Sequence, residues 1–151
     1  MRRQGIKIIY DRNYRLNLWE SRKAAQDVTT QMWRRTDIAL PSIDDEMVLF
    51  GDKDMDQVLA RLRQLGCKNG ALKMGAKGPV ALSGEAEPIG TFSPATQVID
   101  TTAAGDSINA GNVAAILLGQ TNLQAMQASH ALSCQVIQQR GAIAPAASDR
   151  Q

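Results

Sequence analysis

Asp100-Thr101-Thr102-Ala103-Ala104-Gly105-Asp106-Ser107-Ile108-Asn109-Ala110-Gly111 is the stretch on which the fold turns. Ala103, Ala104 and Gly105 stand just before a helix expected from Ser107 to about Leu118 and stopped by Gly119. Small side chains let backbone N–H groups come close to an anion. A helix start adds unpaired donors and the positive end of a dipole. Together they make an anion hole of the kind that steadies a transferring phosphoryl group. Asp106 stands at its mouth. A carboxylate there can accept the proton of an attacking hydroxyl, or it can simply cap the helix. Spacing alone leaves these two roles balanced. Ser107, Ala110, Gly111 and Ala114 give the helix a slim face able to lie against a sheet or a nucleotide.

Upstream, strand and helix signals alternate. Residues 6–10 read as a buried strand, followed by a loop over 11–18. Ser21 suits the N-cap of a helix over 22–35, with Ala24, Val28 and Met32 on one face. A short strand at 37–40 ends at Pro41. A short helix at 43–50 stops at Gly51. Asp54 caps a helix over 55–65, whose stripe is Val58, Leu59, Leu62 and Leu65. Strands at 71–74 and 79–83 flank a tight Gly-Ala-Lys-Gly turn, which reads as a hairpin. A last helix is expected over 123–138, with a loose tail after it. Strand–helix–strand order implies a parallel α/β sheet, and the hairpin adds antiparallel strands at one edge. The Met residues and Trp33 read as packing residues.

The chain has 151 residues, 44% hydrophobic and 21% charged, which suits one soluble globular domain. A net charge of +2 gives no case for a nucleic-acid partner. No apolar run is long enough to span a bilayer, and no targeting segment is evident. Cys67 and Cys134 lack metal-ligand spacing and read as reduced thiols, so a cytoplasmic location is expected.

The string from Asp100 to Gly111 resembles the C-terminal signature of the PfkB, or ribokinase-like, carbohydrate kinases. It departs at Ile108, where that family usually has Phe; the swap concerns packing and not chemistry. The resemblance implies a three-layer α/β/α fold, with Asp106 as catalytic base. It lines the anion hole with the N–H groups of Ala104, Gly105 and Asp106, and sets Ala103 beside the phosphates. It implies ATP and Mg²⁺ as cofactors. Lys73-Met74-Gly75-Ala76-Lys77-Gly78 is similar to the family's Lys-x-Gly-x-x-Gly segment, which assigns Lys73, Gly75, Lys77 and Gly78 to ATP. By itself such a turn is more often only a turn.

Asp11-Arg12-Asn13-Tyr14-Arg15 resembles the Asp-x-Asn-x-Arg loop of the 2-keto-3-deoxygluconate kinases. Leu16, Leu18 and Trp19, and the segment 136–143, are similar to the same subfamily. An arginine in a strand-end loop can grip a carboxylate bidentately. The resemblance therefore gives Arg15 to a sugar-acid substrate and Asn13 to the nucleotide phosphates. Glu46, preceded by Asp44 and Asp45, stands where the family has an acidic element tied to Mg²⁺. Ile43 replaces the family's Asn there, and a solvated acidic helix start is the competing reading. His130 falls where the family flanks the adenine, against the alternative of a satisfied helix histidine. The resemblance spans most of the chain but only the C-terminal half of the family's length. The opening strands, the Gly-Gly sugar motif and the lid are outside it. Weak or no kinase activity is expected of the chain alone. A homo-oligomer and a partner chain supplying the other half both remain open.

Overall fold

A computed structural model describes residues 5–83 and 92–143. The chain divides into two compact units. The first comprises Met1–Met74 with Pro79–Pro88, and the second Gly75–Gly78 with Ile89–Gln151.

In the first unit the expected alternation is present. Strand β1 (Ile9–Tyr10) leads to a 3₁₀ turn at Leu16–Leu18 and helix α1 (Arg22–Trp33). Strand β2 (Ile38–Ala39), helix α2 (Ile43–Phe50) and helix α3 (Met55–Gln64) follow. Strands β3 (Ala71–Leu72) and β4 (Val80–Ala81) close the unit. β1 and β2 run parallel, with Ile9 opposite Ile38 and Tyr10 opposite Ala39. Parallel bridges Ala39–Gly70 and Ser42–Lys73 carry the pairing on to β3, and β4 returns antiparallel, with Leu72 opposite Val80. The hairpin at the edge is thus as expected.

Local chemistry sets the helix ends. The Ser21 hydroxyl accepts the Ala24 N–H at 3.1 Å, and the Asp54 carboxylate accepts the Gln57 N–H at 2.9 Å. Gly51, in the left-handed region, donates its N–H to the Met47 carbonyl and ends α2. The α3 stripe of Val58, Leu59 and Leu62 is buried with Trp33, Ala39, Cys67, Leu72 and Leu82 in one core. Each of these aliphatic side chains contributes about 1.5–3 kcal/mol by leaving water. A second cluster joins Tyr14, Ala25 and Leu49.

Two expectations need correction. The buried face of α1 is Ala25, Thr29 and Trp33, while Val28 is 44% exposed. The fourfold spacing was right and its phase was one residue out. Trp33 takes the core position because its large side chain buries more apolar area than Val28 would. Nor is 6–10 a buried strand, since Ile6 and Ile9 are exposed and, among the described residues, β1 pairs only with β2.

In the second unit a 3₁₀ turn, Gly75–Lys77, precedes helices α4 (Ala104–Leu117) and α5 (Asn122–Val136). α5 opens on a capping box that the sequence reading missed. The Thr121 hydroxyl accepts the Gln124 N–H, and the Gln124 side chain accepts the Thr121 N–H at 3.0 Å. α4 packs directly on α5. A Cβ on Gly111 would lie 2.7 Å from the Ser129 Cα, so only glycine allows this approach. The slim face is therefore split. Ser107 and Gly111 are buried, with Gly111 against α5, whereas Ala110 and Ala114 are exposed.

Candidate active site

The start of α4 lies three residues earlier than expected, at Ala104. Ala103 is the N-cap, in the left-handed region at φ +60°, where few non-glycine residues sit. Its carbonyl accepts both the Ser107 N–H (2.9 Å) and the Ser107 hydroxyl (2.8 Å). Asp106 is the third helical residue and is exposed. The N-cap position belongs to Ala103, and Asp106 is the acidic residue of the first turn. Of the three N–H groups expected to line an anion hole, Ala104 donates to the Thr101 carbonyl at 3.1 Å. Those of Gly105 and Asp106 reach no backbone acceptor among the described residues. The helix start thus presents two open donors and a carboxylate together.

A frame of hydrogen bonds holds this turn. One Asp100 oxygen accepts the Thr102 N–H at 2.8 Å and the other the Gly141 N–H at 3.0 Å. The Thr102 hydroxyl joins them, and these bonds hold the Asp100 carboxyl down to about 2. The N–H groups of Ile99 and Asp100 both donate to the Ile137 carbonyl just past α5. The Ser133 hydroxyl donates to the Ala104 carbonyl at 3.1 Å. Asp100 was legible only as the first letter of a signature; the local signal is Asp-x-Thr, which favours a side-chain-to-backbone turn.

The Gly-rich turn and His130 come together in this unit. Gly78, at φ +80°, lies so close to the Phe92 ring that a Cβ would meet it at 2.4 Å. The Phe92 ring in turn tilts against His130, with centroids 5.1 Å apart. His130 is buried, and its Nε2 lies 2.8 Å from the Ser93 carbonyl. Cys134 Sγ is 3.5 Å from the same nitrogen. Gly75 and Lys77 are exposed on the turn. Phe92 links the two segments and was not singled out from the sequence.

The other candidate residues belong to the first unit, at the carboxyl ends of the parallel strands. Ligands of open α/β sheets bind at such ends. Lys73 is buried rather than displayed, and its Nζ pairs with Asp11 Oδ2 at 2.6 Å. Asn13 and Arg15 are exposed, with Asn13 at φ +42°. Arg15 donates to the Tyr14 carbonyl at 2.9 Å.

Glu46 departs most from expectation. It is fully buried, not a solvated helix start. Oε1 accepts Arg12 Nε at 3.1 Å and Oε2 accepts Arg61 Nη2 at 2.9 Å. Burial pushes its carboxyl upward, against the pull of the two guanidiniums. Both oxygens are engaged, and no group of three or more His, Cys, Asp or Glu able to hold a metal stands among the described residues. Glu46 is held as an ionic anchor between Arg12 and Arg61. A magnesium ion carried by ATP would take its ligands from phosphates and water.

Comparison with known proteins identifies the family. The model of the pfkB family carbohydrate kinases matches residues 1–149. The 2-dehydro-3-deoxygluconokinase of Escherichia coli (strain K12) is 42% identical over 147 residues, covering 95% of this chain and 48% of that protein. The chain spans about half the length of the curated relatives it matches. The crystal structure of a PfkB protein from Polaromonas sp. JS666 superposes with a TM-score of 0.74 at 27% identity, over 95% of this chain and 46% of that one. Aminoimidazole riboside kinase from Salmonella enterica, solved with aminoimidazole riboside and an ATP analogue, gives 0.76 at 26%, over 93% and 49%. The fold is ribokinase-like, and the chain belongs to the pfkB family of carbohydrate kinases.

Proposed function

We propose that this chain is the nucleotide-binding half of a kinase that moves the ATP γ-phosphoryl group to the terminal hydroxyl of 2-keto-3-deoxygluconate. The observation that carries it is the start of α4, where Asp106 stands exposed beside the open N–H groups of Gly105 and Asp106. Asp106 takes the hydroxyl proton as the oxygen attacks phosphorus. The two amides, with the helix dipole behind them, stabilise charge on the transferring group. Ala103 and Ala104 complete the small-residue rim. Gly75, Lys77, Gly78 and His130 belong to the nucleotide side. Asn13 serves the phosphates, and Arg15 reads the sugar-acid carboxylate. Lys73 serves the nucleotide through its hold on Asp11.

The identity to 2-dehydro-3-deoxygluconokinase supports the sugar-acid substrate. A neutral sugar or nucleoside is the second reading, and the aminoimidazole riboside kinase favours keeping it. The third is an ATP-binding protein without catalysis. We place the protein in the cytoplasm, as a homo-oligomer or with a partner chain that completes the sugar side. Among the described residues no helix is long and apolar enough to cross a membrane.

Calorimetry with MgATP and a coupled kinase assay separate these readings. Turnover that falls about 10²–10⁴-fold in Asp106→Asn, with MgATP affinity nearly unchanged, supports the base. Binding without any turnover supports the third reading. Failure to bind MgATP overturns the nucleotide-binding reading. Arg15→Ala tests the substrate: an unchanged preference for sugar acids over neutral sugars removes Arg15 from that role.

A further inference from the structure

We infer that Glu46 positions the loop 11–15, and through it Asn13 and Arg15, by holding Arg12 in a buried ion pair. The inference rests on the proposed task of that loop. Its geometry is independent of it.

Residues alternate along the loop. Arg12 and Tyr14 are buried, whereas Asn13 and Arg15 are exposed. A loop lacks the backbone ladder that fixes such alternation in a strand, so side-chain contacts must supply it. Most of them come from α2. Glu46 accepts Arg12 Nε, and Asp45 Oδ2 accepts the Tyr14 N–H at 3.0 Å. Arg12 Cζ lies 4.5 Å from the Tyr14 ring centre, joining the two inward side chains. Asp11, paired with Lys73, secures the front of the loop.

Glu46 is itself anchored behind. Its second oxygen holds Arg61 of α3, which donates to Asp52 from Nε at 3.0 Å and lies 3.8 Å over the Phe50 ring. The chain of contacts therefore runs from α3 through Glu46 into the loop. Arg12 Nη1 and Nη2 are buried with no hydrogen-bond partner among the described residues. Glu46 is thus the carboxylate that Arg12 reaches, at side-chain exposures of 2% and 0%. Removing one partner of such a pair leaves an uncompensated charge buried. The cheapest relief is for Arg12 to swing out to water, which turns the loop over and carries Asn13 and Arg15 with it. The two acidic residues that resembled a magnesium element thereby act as positioning residues for the substrate-facing loop.

The test is amide hydrogen exchange and ¹⁵N relaxation on the 151-residue chain. Glu46→Gln should lower protection of the Tyr14 N–H by about tenfold or more and raise the mobility of residues 13–15. Amides of α5 should not change. Arg12→Gln, which leaves Glu46 its Arg61 partner, should give the same local loosening and guards against failure of the first variant to fold. The double variant, with a neutral amide pair, should recover part of the protection lost in Glu46→Gln. Tyr14 protection within about twofold of the parent in Arg12→Gln overturns the inference. So does a loss spread evenly over the first unit, which marks a mere core contact. Neither result depends on kinase activity. The sugar-acid preference of Arg15→Ala is a separate measurement, and its failure leaves the exchange result standing.

Discussion

Replacing Gly111 by Ala sets two well-understood effects against each other. Helix propensity favours the change by about 1 kcal/mol, because Gly is the poorest interior residue after Pro. Packing opposes it. The new methyl would lie 2.7 Å from Ser129 Cα and 3.2 Å from both Ser129 N and Cβ. The closest approach is about 0.7 Å short of ordinary contact, and the obstacle is backbone, which cannot rotate away. α4 and α5 must part, loosening the buried residues Ile108, Ala115, Ala125 and Met126 along the interface. Overpacking of this sort costs about 1–3 kcal/mol, and an immovable backbone puts it toward the upper end. The net expectation is a loss of about 1–2 kcal/mol, or on the order of 4 °C in Tm. Urea denaturation followed by circular dichroism measures it, with Ala110→Gly as the control. Ala110 is exposed on the same helix, so propensity alone acts there and a loss of about 1 kcal/mol is expected. If Gly111→Ala is as stable as the parent or more so, the close α4–α5 approach is refuted.

Further outcomes follow from the same contacts. The Asp100 carboxyl should titrate near 2 in a carbon-detected NMR experiment, and a midpoint near 4 would remove its bonds to Thr102 and Gly141. Because the folded value is depressed, these bonds stabilise the turn above the unfolded carboxylate range and are lost as pH falls through 2. Thr121→Ala should cost about 1 kcal/mol in the same urea assay, through loss of the capping box. Leu62→Ala should cost about 2–5 kcal/mol, since Leu62 is fully buried in the first-unit core. Cys67, buried and pushed up to about 11, should resist thiol reagents at pH 8 until the chain is unfolded.

The helices of the first unit were largely legible, and the reason is local. Their caps are single side chains binding a backbone three residues away, so Ser21 and Asp54 announce themselves. Helix phase is a different matter. Ala24, Val28 and Met32 repeat every fourth residue, but so do Ala25, Thr29 and Trp33. Only tertiary packing chose the second set, at the cost of burying the Trp33 indole N–H without a partner among the described residues. Strand burial failed similarly, since an apolar run such as 6–10 does not state whether a neighbour covers it.

The candidate site divides along the same line. The small-residue run at the start of α4 stands out in the sequence because Gly and Ala matter there for what they lack, and absence is visible in a sequence. Charged residues are less transparent, because a charge is defined by its partner. Lys73 and Glu46 carry the right chemistry for a nucleotide and its metal, yet one is paired with Asp11 and the other with Arg12 and Arg61. Those partners lie 62, 34 and 15 residues away in sequence, beyond the reach of any local pattern. Asn13 and Arg15 are the charged or polar members of the loop whose side chains stay toward water, and they do so because the inward positions are filled by Arg12 and Tyr14. A motif written as Asp-x-Asn-x-Arg therefore conceals its mechanics in the positions marked x. In this chain the exposed Asn13 and Arg15 can be changed without disturbing the loop, while the buried Arg12 and Tyr14 that hold it cannot.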